Sequence, residues 1–193
     1  MANCCCTDLW IRGDHESINK IWNELQIIEA NHSPHIIPER ALLDHVGIDA
    51  KTVCCRGDIA YMDRQGDEIK LSQDDAWSPN LGAISMFCDK IAPESVGITY
   101  LAIEPGCDIF MTDDADYEDK WLLDLWDTEG LPDCFDGMDY EFMSDDDLKS
   151  LLERALGYKR KFSLRRLVKS ALNRWCENMS INQIEYVDSC EFV

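Results

Sequence analysis

Between residues 4 and 103 the chain switches repeatedly between period-two and helical patterning, and the order of those segments limits the fold more than composition does. Residues 4–12 place Cys5, Thr7, Leu9 and Ile11 on one side and Cys6, Asp8, Trp10 and Arg12 on the other, a strand closed by Gly13. Asp14 is suited to cap a helix whose apolar positions Ile18, Ile21, Trp22, Leu25 and Ile28 recur at helical spacing. Residues 31–56 are irregular, except that Pro38 opens a short helix through Ala41, Leu42 and Val46, ended by Gly47. Two strand-like runs, 58–63 and 68–74, then flank Arg64-Gln65-Gly66-Asp67, a hairpin turn with glycine at the positive-φ position. Ser78-Pro79 reads as a helix start, with Leu81, Ile84, Phe87, Cys88 and Ile91 in the buried stripe and Pro93 at its end. Residues 96–103 alternate again, and Glu104-Pro105-Gly106 turns the chain, as a type II turn would, into a short strand at 108–112.

Strand, helix, strand, strand, helix, strand is the order of a split β-α-β arrangement, so the fold class expected is α+β, a ferredoxin-like sandwich. Both helices should lie on one face of an antiparallel sheet, with Trp22, Leu25, Ile84 and Phe87 buried beneath them. The sheet should be extended by 108–112 and 120–126. The topology carries no iron–sulfur cluster with it, and the cysteine spacing for one is missing. From residue 144 the texture becomes helical. Ser144 caps a helix beginning Asp145-Asp146-Asp147, with Leu148, Leu151, Leu152, Ala155 and Leu156 as its stripe and Gly157 as its stop. Ser163 opens a second helix, with Leu164, Leu167, Val168, Ala171, Leu172 and Trp175 inward and Arg165, Arg166, Lys169 and Arg174 outward; 181–187 reads as a last strand. The expected division is a sheet domain over 1–126 and an acidic connection with a helical appendage packed on it over 127–193.

Charge is distributed unevenly. Residues 104–147 hold 17 Asp/Glu and one Lys, giving 1 − 17 = −16 of the chain's −20. Residues 149–174 hold nine Lys/Arg and one Glu, giving +8. A net charge of this sign repels nucleic acid and anionic membrane and favours basic partners. No run approaches the roughly 20 apolar residues that a membrane helix needs, and the first residues lack a basic region and an apolar signal core, so a cytoplasmic setting is expected.

The ten cysteines include no Cys-x-x-Cys pair, and adjacent cysteines on a strand point to opposite faces, so Cys4-Cys5-Cys6 and Cys54-Cys55 are expected to chelate poorly and to serve as small apolar residues. His32, His35 and His45 form no ligand set, because Pro34 breaks the helical spacing, and exposed loop histidines are expected. Neither 113–116 nor 133–139 matches a calcium-binding loop. No nucleophile elbow or phosphate-cradling glycine loop is present. No catalytic residue, metal or cofactor is therefore assigned.

Several short motifs converge on one family. Met1-Ala2-Asn3-Cys4 runs directly into a strand ending at Gly13; Trp77-Ser78-Pro79 precedes a helix; Ile98-Thr99-Tyr100 leads to Glu104-Pro105-Gly106 and Phe110. Over roughly residues 1–126 this resembles the YubB-type ferredoxin-like domain, found in small proteins carried on plasmids, conjugative elements and phages. Ala2 and Cys4 replace the proline and tryptophan usual in that family, Met111-Thr112 stands where a glycine is common, and 144–176 lies outside the resemblance. The resemblance implies a fold and a mobile-element setting, and no activity.

Three readings of the charge pattern are open. The basic helices pack back on the acidic stretch and screen it; the acidic surface imitates nucleic acid and contacts a basic protein, such as a nucleic-acid-binding or defence factor; or Lys159, Arg160, Lys161, Arg165, Arg166 and Lys169 touch nucleic acid directly. The second makes the chain a non-enzymatic interaction protein, with Asp113, Asp114, Asp116, Glu118, Asp119, Asp133, Asp136 and Asp139 as its contact surface. Those acids should then be exposed and unpaired. The alternative is a metal-dependent enzyme acting on nucleic acid through scattered Asp/Glu ligands.

Overall fold

The computed structural model describes residues 4–32, 36–104, 107, 109–125, 129–138, 140–158, 162–176 and 181–189. It forms two compact units, Met1–Asp114 and Ala115–Val193.

The first unit contains β1 (Cys4–Gly13), α1 (His15–Ala30), β2 (Ile37–Pro38), α2 (Glu39–His45), β3 (Gly57–Gln65), β4 (Glu68–Ala76), α3 (Gly82–Ile91), β5 (Val96–Glu104) and β6 (Ile109–Thr112). Within it six strands form an antiparallel sheet in the order β6-β5-β1-β4-β3-β2. The period-two pattern of β1 sends Cys5, Leu9 and Ile11 into the core, where they meet Ile18, Ile21 and Leu25 of α1, Leu42 of α2 and Ile84, Phe87 and Cys88 of α3. All three helices therefore pack against one face of the sheet. Leu25, Ile84 and Phe87 are fully buried as predicted, while Trp22 is half-buried at the margin of the same core.

Local signals explain most boundaries. Asp14 accepts hydrogen bonds from the backbone N–H groups of Glu16 and Ser17, each at 3.0 Å, and so caps α1. Gly66, at φ +63°, makes the two-residue β3–β4 turn. One predicted boundary moves: α3 begins at Gly82, without a side-chain cap, and not at Ser78-Pro79. Residues preceding it are held by the sheet instead, since the Asn80 N–H donates to Asp75 Oδ2 at 3.0 Å and Asn80 O accepts from Gln73 Nε2 at 3.0 Å.

The opposite face of the sheet carries polar side chains. Trp10 lies there with Lys70 and Arg12 at 5.4 and 5.8 Å from its ring centroid. Lys70 also pairs with Asp8 at 2.8 Å, and Ser72 donates to the same carboxylate at 2.5 Å.

The second unit contains β7 (Trp121–Leu125), β8 (Tyr140–Met143), α4 (Asp145–Leu156), α5 (Leu164–Trp175) and β9 (Ile181–Tyr186), with an antiparallel sheet ordered β8-β7-β9. The predicted extension at 120–126 is thus corrected: its strand is the centre of a second sheet. Leu122 and Leu123 are both fully buried, as suits a central strand covered on both faces. The helical pair keeps its predicted stripes, which close over Leu123, Leu125, Ile181, Ile184 and the plug Phe135. Ser144 caps α4 by accepting from the Asp147 N–H at 3.2 Å, and Gly157 ends it at φ +69°.

Candidate functional site

The predicted acidic surface divides between the two units. Asp113 and Asp114 belong to the first and are committed to its structure. Asp113 accepts from the Tyr100 N–H at 2.7 Å, continuing the backbone pairing of β5 beyond the end of β6. Asp114 is 3% exposed, and its Oδ2 accepts from Arg12 Nη1 at 2.8 Å and Thr99 Oγ1 at 2.7 Å. Asp114 is therefore no contact residue, because its carboxylate is buried and balanced by a guanidinium. Asp139 lies outside the described residues.

In the second unit Asp116, Glu118 and Asp119 are exposed in the turn before β7, and Asp133 and Asp136 are exposed around the short turn that seats Phe135. Asp119, at φ +56°, accepts from the Tyr186 hydroxyl at 3.0 Å. Tyr186 packs edge-on against Trp121 with centroids 5.3 Å apart, and Trp121 Nε1 donates to Asp145 at 2.7 Å. Trp121, Asp145, Ser163, Leu164, Arg165 and Tyr186 line a shallow groove. The groove is therefore of mixed charge: two carboxylates, each accepting from one of the aromatic pair, and the Arg165 guanidinium.

Mutual screening by α5 receives no support from pairwise contacts. Among the described residues Arg165, Arg166 and Lys169 are exposed and form no ion pair; Arg166 instead lies 4.0 Å over the Phe162 ring.

The first unit holds a polar centre that sequence reasoning missed. Glu39 and Asp75 are buried at 0% and 1% exposure. Glu39 Oε2 accepts from the N–H groups of Arg56 and Gly57 and from Asn80 Nδ2, at 2.9, 3.0 and 2.9 Å. Asp75 Oδ2 accepts from Thr7 Oγ1, Gln73 Nε2 and the Asn80 N–H, at 3.2, 2.7 and 3.0 Å. Asn80 therefore bridges two carboxylates, and among the described residues Glu39 Oε1, Gln73 Oε1 and Asp75 Oδ1 have no hydrogen-bond partner. Burial, reinforced by Asp75, pushes the Glu39 carboxyl up to about 7; burial also raises Asp75. The pair is enclosed, so it can store a proton but cannot reach a substrate. Glu39 follows a proline and Asp75 ends an alternating strand, and neither context distinguishes a buried acid from an exposed one.

Of the described thiols Cys5 and Cys88 are buried and Cys134 packs half-buried against the second core, so the predicted apolar role fits these three, whereas Cys4, Cys6, Cys54, Cys107 and Cys176 are exposed. His32 is half-buried and its Nδ1–H donates to the Ile28 carbonyl at 2.8 Å, while His45 lies on α2 beside Glu24 at 2.6 Å; His35 is outside the described residues. Among the described residues the one group of three potential metal ligands is Cys4, Cys6 and Asp74, and no three carboxylates converge. No helix among them is long and apolar enough to cross a membrane.

No protein-family model, no curated protein and no solved structure matches this chain.

Proposed function

We propose that this chain is a non-enzymatic interaction protein of a mobile genetic element, and that the acidic surface of its second unit contacts a basic protein. The partner is of the nucleic-acid-binding or defence kind, whose basic groove an acidic ridge can occupy. The observation that carries the reading is the exposure of Glu118, Asp119, Asp133 and Asp136 in one unit; the Trp121–Tyr186 groove beside Asp119 is itself of mixed charge, because Arg165 lines it. The exposed, unpaired Arg165, Arg166 and Lys169 support it further, because pairwise neutralisation would have left no field for a partner. The order β5-β1-β4-β3, with α1 and α3 on one face, supports a ferredoxin-like assignment for the first unit and with it the YubB-type resemblance.

A pull-down from host lysate with the full chain tests this. The captured protein should be basic, and it should elute as salt rises, because exposed charge contacts are screened beyond about 8 Å at physiological ionic strength. Changing Glu118 to Gln and Asp119, Asp133 and Asp136 to Asn together should abolish capture while leaving the fold intact. Capture that survives both treatments would overturn the reading.

A further inference from the structure

Cys4 and Cys6 are two apart on β1, so the alternation that turns Cys5 into the core brings the other two to the same, helix-free face. The register then supplies a third ligand. Cys6 stands directly opposite Asp74 of β4, and Cys4 opposite Ala76, which makes Asp74 the diagonal neighbour of Cys4. Cys6 Sγ donates to Asp74 Oδ1 at 3.7 Å, and Cys4 Sγ lies close enough to feel the charge of the same carboxylate. All three residues are exposed, and their ligand atoms lie within 4.8 Å of one another.

We propose that Cys4, Cys6 and Asp74 form a zinc site with a fourth position open to solvent. Tetrahedral Zn–S bonds of about 2.3 Å separate two sulfurs by roughly 3.8 Å, so small side-chain rotations close the present arrangement. Two thiolates and one carboxylate select a thiophilic ion over Mg²⁺ or Ca²⁺. The setting is anionic, since Asp74, Glu104 and Asp75 all act on Cys4, and this favours a cation. Without metal the thiols stay protonated: partial burial, then Asp74, pushes Cys6 up to about 11, and Cys4 is raised for the same reasons. Zinc must displace both protons, so affinity should fall as pH falls. This inference is independent of the acidic surface in the second unit.

The test uses the reduced full-length protein. Zn²⁺ is titrated in competition with a chromophoric chelator, and Co²⁺ is added separately to read thiolate-to-cobalt charge-transfer absorption. One equivalent of Zn²⁺ per chain is expected, with thiolate absorption from Co²⁺. Cys4→Ser, Cys6→Ser and Asp74→Asn should each weaken binding at least about ten-fold, whereas Cys54→Ser with Cys55→Ser should leave it unchanged. Zinc should also protect Cys4 and Cys6 from maleimide labelling, a measurement on the unaltered chain. Failure to bind one equivalent, binding that persists in the Cys4→Ser/Cys6→Ser protein, or labelling of these two thiols unaffected by zinc would each overturn the proposal.

Discussion

Arg12 and Asp114, 102 residues apart in sequence, meet at 2.8 Å on the helix-free face of the first sheet. Arg12 spends its other donors on Glu68 at 2.6 Å and Thr99 at 2.9 Å, so one guanidinium ties β1, β4 and β5 to the residue that ends the unit. Arg12→Met should cost about 1–3 kcal/mol, because it strands the buried Asp114 carboxylate without its cation. Asp114→Asn should cost less, since the amide still accepts from Thr99. Urea unfolding of both single variants and the double variant checks this, and a double-variant cost equal to the sum of the singles would show that the two residues act independently.

A second expectation concerns pH. The Glu39 carboxyl is raised in the folded chain from 4.5 to about 7, so folding favours its protonated form. Its contribution is fully present below the unfolded value and is lost as pH rises through 7. Glu39→Gln, which keeps an acceptor for Asn80, should therefore flatten the stability profile between pH 4.5 and 8. Thermal unfolding across that range reads the slope directly, and a variant with the parental slope would remove Glu39 as its cause.

Gly57 lies against the same polar centre. A Cβ there would stand 2.1 Å from Asp75 Oδ1 and 3.0 Å from the Asp74 carbonyl. Asp75 cannot swing aside without releasing Thr7, Gln73 and Asn80. Gly57→Ala should destabilise by about 1–3 kcal/mol through overpacking. By contrast, Gly66→Ala meets no atom and is strained only by its positive φ, so it should cost less, about 1 kcal/mol. Calorimetry of the two variants ranks them.

Removing the four exposed acids of the second unit should leave the melting temperature unchanged or slightly higher, because like charges on one surface repel. A loss of several degrees would mean that these side chains hold the unit together, and differential scanning fluorimetry suffices to see it.

Legibility in the sequence followed how locally each feature is determined. Asp14, Gly66, Ser144 and Gly157 act within a few residues, and each ends or begins its element where the pattern placed it. The assignment of β7 to a sheet was not legible, because pairing partners are chosen among strands far away in sequence. The start of α3 moved for a local reason that the pattern does not show: Asp75 and Gln73, on the strand just before it, hold Asn80 in the connection. Among the acids, composition identified Asp114 but could not report that Arg12 would bury it. Cys4, Cys6 and Asp74 needed the β1–β4 register before they became neighbours.

The outer margin of the first sheet has a consequence for self-association. Among the described residues β2 covers β3 only at Ile59 and Asp58, and one of its two residues, Pro38, has no N–H to offer. Beyond that point the β3–β4 register shifts between Ile59 and Tyr61, and Asp63 and Arg64 follow. A short cover, a proline, an irregularity and two charges in succession deny an incoming strand a straight row of hydrogen-bonding groups. At high concentration this margin should resist stacking with other copies into fibres.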